Sequence, residues 1–595
     1  MDRRTLLALA LTAMAVMIFQ VLYFAPAEKA AYAKKQKALL AQRAADSLGM
    51  GASEVSDTTA IGISSSIGAG AGIPNGNIAA EAQGQVPVSG ALPAGGFVNV
   101  AGATLQDITV ETDLYEATFS SRGGTLTAMK LKRFVAGKDG EPVNLVRDPE
   151  KGEIGLVLKS QKGQLDLSST VFSVSDSLDA KTGRIRRLTF LAVDDAGASV
   201  RKTFIFKDGS YVVGLEIELR GISSQQEKLE CLVGWRGGLS LTETNMKEEL
   251  RSLATVSLLG TEMFRDDIGS FKKVALKEHS GSVRWTAVRS RYFIAAFIPP
   301  EGTVSTVLSF GDPQKDLSGA LLAIPLSASG VTQTALTLYL GPLDLWKVKA
   351  LGVGLDRTVN LGWNWIRPVS QSILWFLVES HKLLPNYGLV IILLSALTKI
   401  LFYPLTRSST KSMREMQKLQ PEIQKLREKL KKDPQKLNKE VMGLYKKHKV
   451  NPLGGCLPLL LQMPVFIALY NVLMSSIEMR RANFVWWITD LSSADTVAVV
   501  SGVAIHVLPL IMGASMFWQQ KMTPTDPRQA AMTYFMPVLM IVFFYSLPSG
   551  LVLYWTANNF MTIAQQYMMQ RGEKNKQALE LVADEHGAPA VQPAS

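Results

Sequence analysis

Lys399 is a charged residue set inside an apolar run, Gly388–Leu405, and it lies about eight residues, or roughly 12 Å along a helix, before Arg407. An ammonium at the centre of a bilayer costs roughly 2.5–3.5 kcal/mol on insertion scales, so such a lysine should face protein or a water-filled cavity. A long side chain at that depth could also snorkel toward the aqueous surface. Polar company weighs against simple snorkelling. The last apolar run carries Asn559, Thr562 and Gln566 on one helical face, with Asn558 and Gln565 beside them, and Gln462 lies in an earlier run. At membrane depth these groups need partners or water, and they either line a groove around Lys399 or join helices together. The sequence leaves both open. Other chemistry has little support. The five histidines (279, 381, 448, 506 and 586) are scattered without metal-ligand spacing, and Cys231 and Cys456 are far apart. Gly68–Gly72 alternates Gly and Ala, but no strand pattern precedes it and no helix pattern follows, so no nucleotide loop is expected. Neither a cofactor nor covalent catalysis is expected.

The elements that would carry Lys399 read as a membrane protein with a sizeable water-soluble part. The chain has 595 residues, a net charge of +12 and a mean hydropathy of +0.14. Residues 1–24 read as an uncleaved transmembrane anchor, with a cleaved signal as the rival because Ala25-Pro26-Ala27 imitates a cleavage site. Further apolar runs at about 386–406, 453–477, 501–519, 532–546 and 549–567 bring the expected crossings to six. Between residues 407 and 449 stand 14 Lys/Arg against five Asp/Glu, a net of +9 that places this loop in the cytoplasm. Both termini should then be cytoplasmic and residues 25–345 periplasmic, although the lysine cluster after the anchor opposes that orientation. Within the loop Met416, Leu419, Ile423, Leu426 and Leu430 step by three and four. Asp433-Pro434 then breaks the pattern, and Leu437, Val441 and Leu444 resume it. A helical hairpin over 407–451 follows, with Lys411, Arg414, Lys425 and Arg427 among its cations. It is either a solvated charged face or a docking site for ribosomal RNA or anionic lipid.

Residues 25–102 are rich in Ala, Gly, Ser and Gln and read as a flexible linker. Residues 103–345 have β texture: Arg201–Phe206, an Asp208-Gly209 turn, and Tyr211–Leu219, where Leu215, Ile217 and Leu219 alternate with Glu216 and Glu218. Similar runs at Glu153–Leu158, Val304–Ser309 and Thr332–Leu340 suggest a large antiparallel sandwich. Residues 359–381 show an amphipathic stripe with Trp363, Trp365 and Trp375, the mark of an interfacial helix, though a buried core helix would show the same stripe. The core then runs over 386–570, followed by a short tail, 571–595.

Four stretches look like the signatures of the YidC/Oxa/Alb family of membrane protein insertases, in the same order: Lys399–Thr406, Asn451–Cys456, Gln462–Phe466 and Phe543–Tyr554. Upstream, Ser121–Gly124, Trp285–Pro299 and Leu338–Pro342 resemble the periplasmic domain of Gram-negative members, a β-supersandwich in the family. The resemblance implies a six-helix inner-membrane protein with a five-helix insertase core. It implies that the protein inserts and folds nascent membrane proteins through a hydrophilic groove, alone or with the Sec translocon, and receives substrates from the ribosome at the first cytoplasmic loop. Specific DNA binding is not implied. Lys399 falls on the groove's basic position, which is Arg in many members, so charge is kept while the planar fork is lost. Ser395 and Gln462 fall on positions that keep the groove hydrophilic, and Met463, Phe466 and Trp555 on positions of its substrate slide. Two rivals are a secondary transporter, which would normally show repeated halves, and an anchored periplasmic binding module, which truncation would separate from an insertase.

Overall fold

The computed structural model describes residues 104–585 apart from 138–139, 162, 180–181, 196, 223–227, 432, 449, 451–456, 501–502 and 523–529. The expected anchor, the linker, the end of the tail and the 451–456 signature lie outside the described residues. These divide into two compact units, 104–374 with 471–480, and 375–470 with 481–585.

The first unit is built on antiparallel sheets. The largest has nine strands: β1 (Ser173–Leu178), β2 (Ile185–Val193), β3 (Ser199–Ile205), β4 (Val212–Arg220), β5 (Ala254–Leu259), β6 (Glu262–Asp267), β7 (Val283–Arg289), β8 (Phe293–Ile298) and β9 (Val331–Pro342). Their spatial order is β6-β5-β7-β8-β9-β4-β3-β2-β1, so the last strand joins the β1–β4 meander to a ribbon of β5 to β8. The hairpin expected around Asp208-Gly209 is the β3–β4 pair, with Gly214 opposite Ile205, and Leu215, Ile217 and Leu219 form its buried face. A six-stranded sheet packs against this one, and Thr255 of β5 meets Ser318 of the smaller sheet at 2.9 Å between hydroxyl oxygens. Phe119, Phe190, Phe204, Trp235 and Trp285 are buried, with the Phe119 and Phe204 rings 4.6 Å apart. A four-stranded sheet covers residues 107–144. The expected runs at 153, 304 and 332 appear as Leu156–Lys159, Thr306–Asp312 and β9.

Lys202, fully buried, ties these layers together. Its ammonium donates to the main-chain oxygens of Gly123 (3.3 Å), Gly124 (2.6 Å) and Ile154 (2.7 Å). Both glycines are left-handed, at φ 67° and 52°, and a Cβ at Gly123 would come within 2.8 Å of the Ser168 backbone. Segment 471–480 belongs with this unit, a division not expected from the sequence. Arg480 pairs with Glu243 at 2.7 Å and donates to Val135 O at 2.8 Å, and Arg291 donates to Met474 O at 2.9 Å.

Helices dominate the rest: α1 (Arg367–His381), α2 (Tyr387–Leu401), α3 (Tyr403–Lys418), α4 (Gln420–Lys429), α5 (Pro434–Lys447), α6 (Leu457–Ser475), α7 (Leu508–Met522), α8 (Ala530–Phe544) and α9 (Ser549–Glu585). The interfacial helix expected from residue 359 begins only at Arg367. Gly362 takes a left-handed φ of 88° and Pro368 fits the first helical turn, which leaves Trp363 and Trp365 stacked 6.3 Å apart ahead of it. The basic loop forms the expected helical hairpin with one more break. Its apolar seam joins Leu419, Ile423 and Val450 to Met416, Val441 and Leu444, and Asp433 caps α5 through Lys436 N at 3.0 Å. The run expected to begin at 501 is helical only from Leu508, being preceded by a short β-hairpin. Among the described residues no single helix is long and apolar enough to cross a membrane alone. One bent pair, Tyr387–Leu401 with Tyr403–Ser409 at 62°, meets that measure together.

Candidate functional site

Within the second unit, α2 is fixed at its start. The Asn386 side chain accepts from Leu389 N at 3.2 Å and donates to Phe484 O at 2.9 Å. Gly388 lets the first turn press on the Phe484 ring, since a Cβ there would sit 2.0 Å from it. With that end fixed, α2 turns Ser395, Thr398 and Lys399 toward α9.

Tyr554 is the hub they meet. Its buried hydroxyl accepts from Gln462 Nε2 of α6 and lies 3.4 Å from the Thr398 hydroxyl. Its carbonyl accepts from Ser395 Oγ at 3.3 Å and from Asn558 Nδ2 at 3.0 Å. One turn further along α9, Thr562 Oγ1 donates to Asn558 O at 2.7 Å and accepts from Lys399 Nζ at 2.6 Å. Tyr554, Asn558 and Thr562 step by four residues, the spacing that puts side chains on one helical face. Lys399 is half-buried and, among the described residues, meets no carboxylate.

Ser395, Lys399, Gln462 and Thr562 of the expected groove set are therefore brought together, and Asn559 is not. It is buried and donates to Ser515 Oγ of α7 at 2.9 Å, a helix-joining contact. Tyr554, Thr398 and Ser515 were missed by the sequence reading. The four-residue step from Tyr554 to Thr562 is the available signal, and the stripe of 559, 562 and 566 shares only Thr562 with it. Of the expected slide, Met463 is 41% exposed, and the Trp555 ring packs edge-on to Phe466 at 5.5 Å and lies 5.2 Å from Phe544. On α4, Lys425 is exposed and Arg427 partly so, while the side chains of Lys411 and Arg414 lie outside those described. Among the described residues no group of three or more His, Cys, Asp and Glu could hold a metal. The cluster can hold a polar or anionic group by hydrogen bonding and by one positive charge.

Two family models match the chain, the 60Kd inner membrane protein over residues 379–577 and the YidC periplasmic domain over residues 107–375. A membrane protein insertase YidC from Geobacter sulfurreducens is 37% identical over 476 residues, covering 79% of this chain and 87% of its own. Another from Syntrophus aciditrophicus is 35% identical over 592 residues, covering 97% of this chain and all of its own. The chain belongs to the YidC family. Its β-sheet unit corresponds to the family's periplasmic domain and its helical region to the inner-membrane part. Among solved structures, a crystal structure of an active YidC insertase with its first transmembrane domain resolved covers 78% of this chain, at 22% identity and a TM-score of 0.35. A galactose mutarotase related enzyme from Lactobacillus acidophilus covers 40%, at 13% identity and a TM-score of 0.29.

Proposed function

We propose that the chain is a membrane protein insertase and chaperone of the bacterial inner membrane, acting on nascent membrane proteins without covalent chemistry or nucleotide hydrolysis. Six crossings, with both termini and the 407–451 hairpin cytoplasmic and residues 103–345 periplasmic, make up the working topology. The basic hairpin receives chains from the ribosome, and the core of residues 386–570 works alone or beside the Sec translocon.

The observation that carries this reading is the Lys399–Thr562 hydrogen bond, at one end of a polar line that runs to Gln462 between otherwise apolar helices. Moving a polar tail across hydrocarbon strands charges and backbone groups without partners, each costing several kcal/mol. A hydrophilic groove lined by Ser395, Lys399, Gln462 and Thr562 shortens that dry path. An acidic tail pairs transiently with the Lys399 ammonium, which no carboxylate of the described residues occupies. Meanwhile the substrate's apolar helix slides along Met463, Phe466 and Trp555 into lipid, which releases about 25 cal/mol for each Å² of apolar surface buried. Asn559, with its Ser515 bond, holds α9 against α7 and keeps the groove wall in place.

In a strain depleted of its own insertase, Lys399→Ala should slow insertion of substrates with acidic translocated tails, and Lys399→Arg should restore it. Unchanged insertion of every such substrate by the alanine variant would remove the electrostatic step. Crosslinking from positions 463 and 555 to a stalled nascent membrane protein tests the slide separately.

A further inference from the structure

Between α6 and α7 the chain carries no Lys, Arg, Asp or Glu from Thr496 to Gln520. It opens that stretch with two short strands, β10 (Ala498–Val500) and β11 (Val503–Ile505), paired antiparallel with Val499 opposite Ala504 and Val500 opposite Val503. Val497 (47%), Val499 (63%), Val500 (56%) and Val503 (52%) are exposed. Successive strand residues point to opposite faces, so a hairpin resting in water on one side would alternate polar with apolar. Here both faces are apolar and open.

The base of the hairpin, by contrast, is firmly held. The Asp495 carboxylate accepts from Trp487 Nε1 (3.1 Å), Val507 N (3.0 Å) and Leu508 N (2.8 Å), and Tyr545 donates to Ala504 O at 2.8 Å. Trp486 stacks on Trp487, stands 85% exposed and keeps a φ of 52°, a backbone conformation that bulky residues rarely adopt. The fixed base presents two apolar strands with an exposed indole on a nearby segment.

We propose that this hairpin is a lipid anchor, with the valine side chains of β10 and β11 inserted at the headgroup–acyl boundary of the outer leaflet, where the unpaired outer edges still reach water and headgroups, and Trp486 at the headgroup level. Two observations select lipid over a protein partner. The hairpin runs without a charged residue into α7, whose Leu510 and Trp518 are themselves 48% and 59% exposed, so its surface continues the apolar belt of an inner-membrane protein. A partner strand added to one edge would leave both valine-rich faces in water, whereas lipid covers them together. The outer-leaflet assignment rests on the topology proposed above, which sets the 407–451 hairpin on the opposite side.

The test uses the full chain carrying Cys456→Ser, in sealed phosphatidylethanolamine–phosphatidylglycerol vesicles. Cys231 is buried and stays unlabelled. An environment-sensitive fluorophore is placed on Val499→Cys, on Val503→Cys as a second hairpin site, and on Lys207→Cys as an aqueous reference. Spin-labelled lipids should quench the hairpin probes several-fold more than the reference, and aqueous iodide several-fold less. Iodide quenching at 499 and 503 equal to that at 207 would overturn the anchor by placing the strands in water. Poor quenching by both agents would overturn it in favour of a protein cover, a second copy included. Sidedness is read independently, with an impermeant thiol reagent on Lys425→Cys and Lys207→Cys. Modification of both from the same side would overturn the topology and with it the choice of leaflet, while the depth result would still show whether lipid holds the hairpin.

Discussion

Tyr554 shows how one phenol can organise a site that a charge only marks. Lys399 was legible because a cation in an apolar run is costly, but the groups it meets were only partly so, since an apolar helix with several polar residues offers more than one stripe. Asn558 and Thr562 continue the Tyr554 face, whereas Asn559, one residue on, turns to Ser515. A residue-scale prediction concerns Glu153, which is buried and accepts from the main-chain N–H groups of Arg236 (2.6 Å) and Gly237 (2.7 Å). Burial pushes its carboxyl up to about 8, against the pull of those two donors and of the Arg236 charge. The native state thus holds a proton that the unfolded chain has released, and the stability contributed by this group, full below about pH 4.5, is lost as pH rises through about 8. Thermal unfolding of the purified chain should show a falling midpoint over that window, and Glu153→Gln should flatten the slope. An unchanged slope in the variant would assign the titration to another group.

At the level of elements, strands with clean alternation were readable and close approaches were not. β4 announced itself through Leu215, Ile217 and Leu219, whereas the buried Ala254–Leu259 strand lacks alternation because both its faces are covered. Gly234 is a close approach that periodicity cannot reveal. It lies in the Glu230–Trp235 strand opposite Leu321, and a Cβ there would sit 2.0 Å from Ala320 O and 2.9 Å from Leu321 Cα, both backbone atoms. Gly234→Ala should therefore force the two strands apart and destabilise the β unit by about 3 kcal/mol, the upper end of overpacking costs. Calorimetry would register this as a lowered transition for that unit, and an unshifted transition would show that the strands can yield. Helix ends were less legible than helix existence. Asp433-Pro434 signalled one break in the basic hairpin, but the turn at Leu419 interrupts a seam whose apolar spacing runs straight through it.

Over the whole molecule, the two-part organisation was visible as a change in texture near residue 345, from alternating strands to long apolar runs. What escaped was segment 471–480, an apolar helix end that sequence assigns to the core and that Arg291, Arg480 and Glu243 hold in the β unit. Contacts between residues hundreds of positions apart leave no periodic trace. Because Ser395, Lys399, Gln462 and Thr562 all lie in the other unit, removal of residues 107–342 should spare insertion of a single-span substrate in a depleted strain. Loss of insertion with the helical part still stably folded would show that the β unit takes part in the step itself.

The position of β9 fixes when the large sheet can close. Strands β1 to β4 form a meander and β5 to β8 a ribbon in the order β6-β5-β7-β8, each from near neighbours, yet the two ribbons meet only through β9, between β8 and β4. At roughly 5–20 residues per second of synthesis, the interval between the end of β4 at Arg220 and the start of β9 at Val331 is roughly 5–20 s. Throughout that delay the rim of β4 stands with unpaired amides, joined by the rim of β8 once Ile298 has been made, and both are open to the wrong partner. Val331–Pro342 is the keystone, and a nascent chain halted just ahead of it would carry two half-sheets with nothing between them.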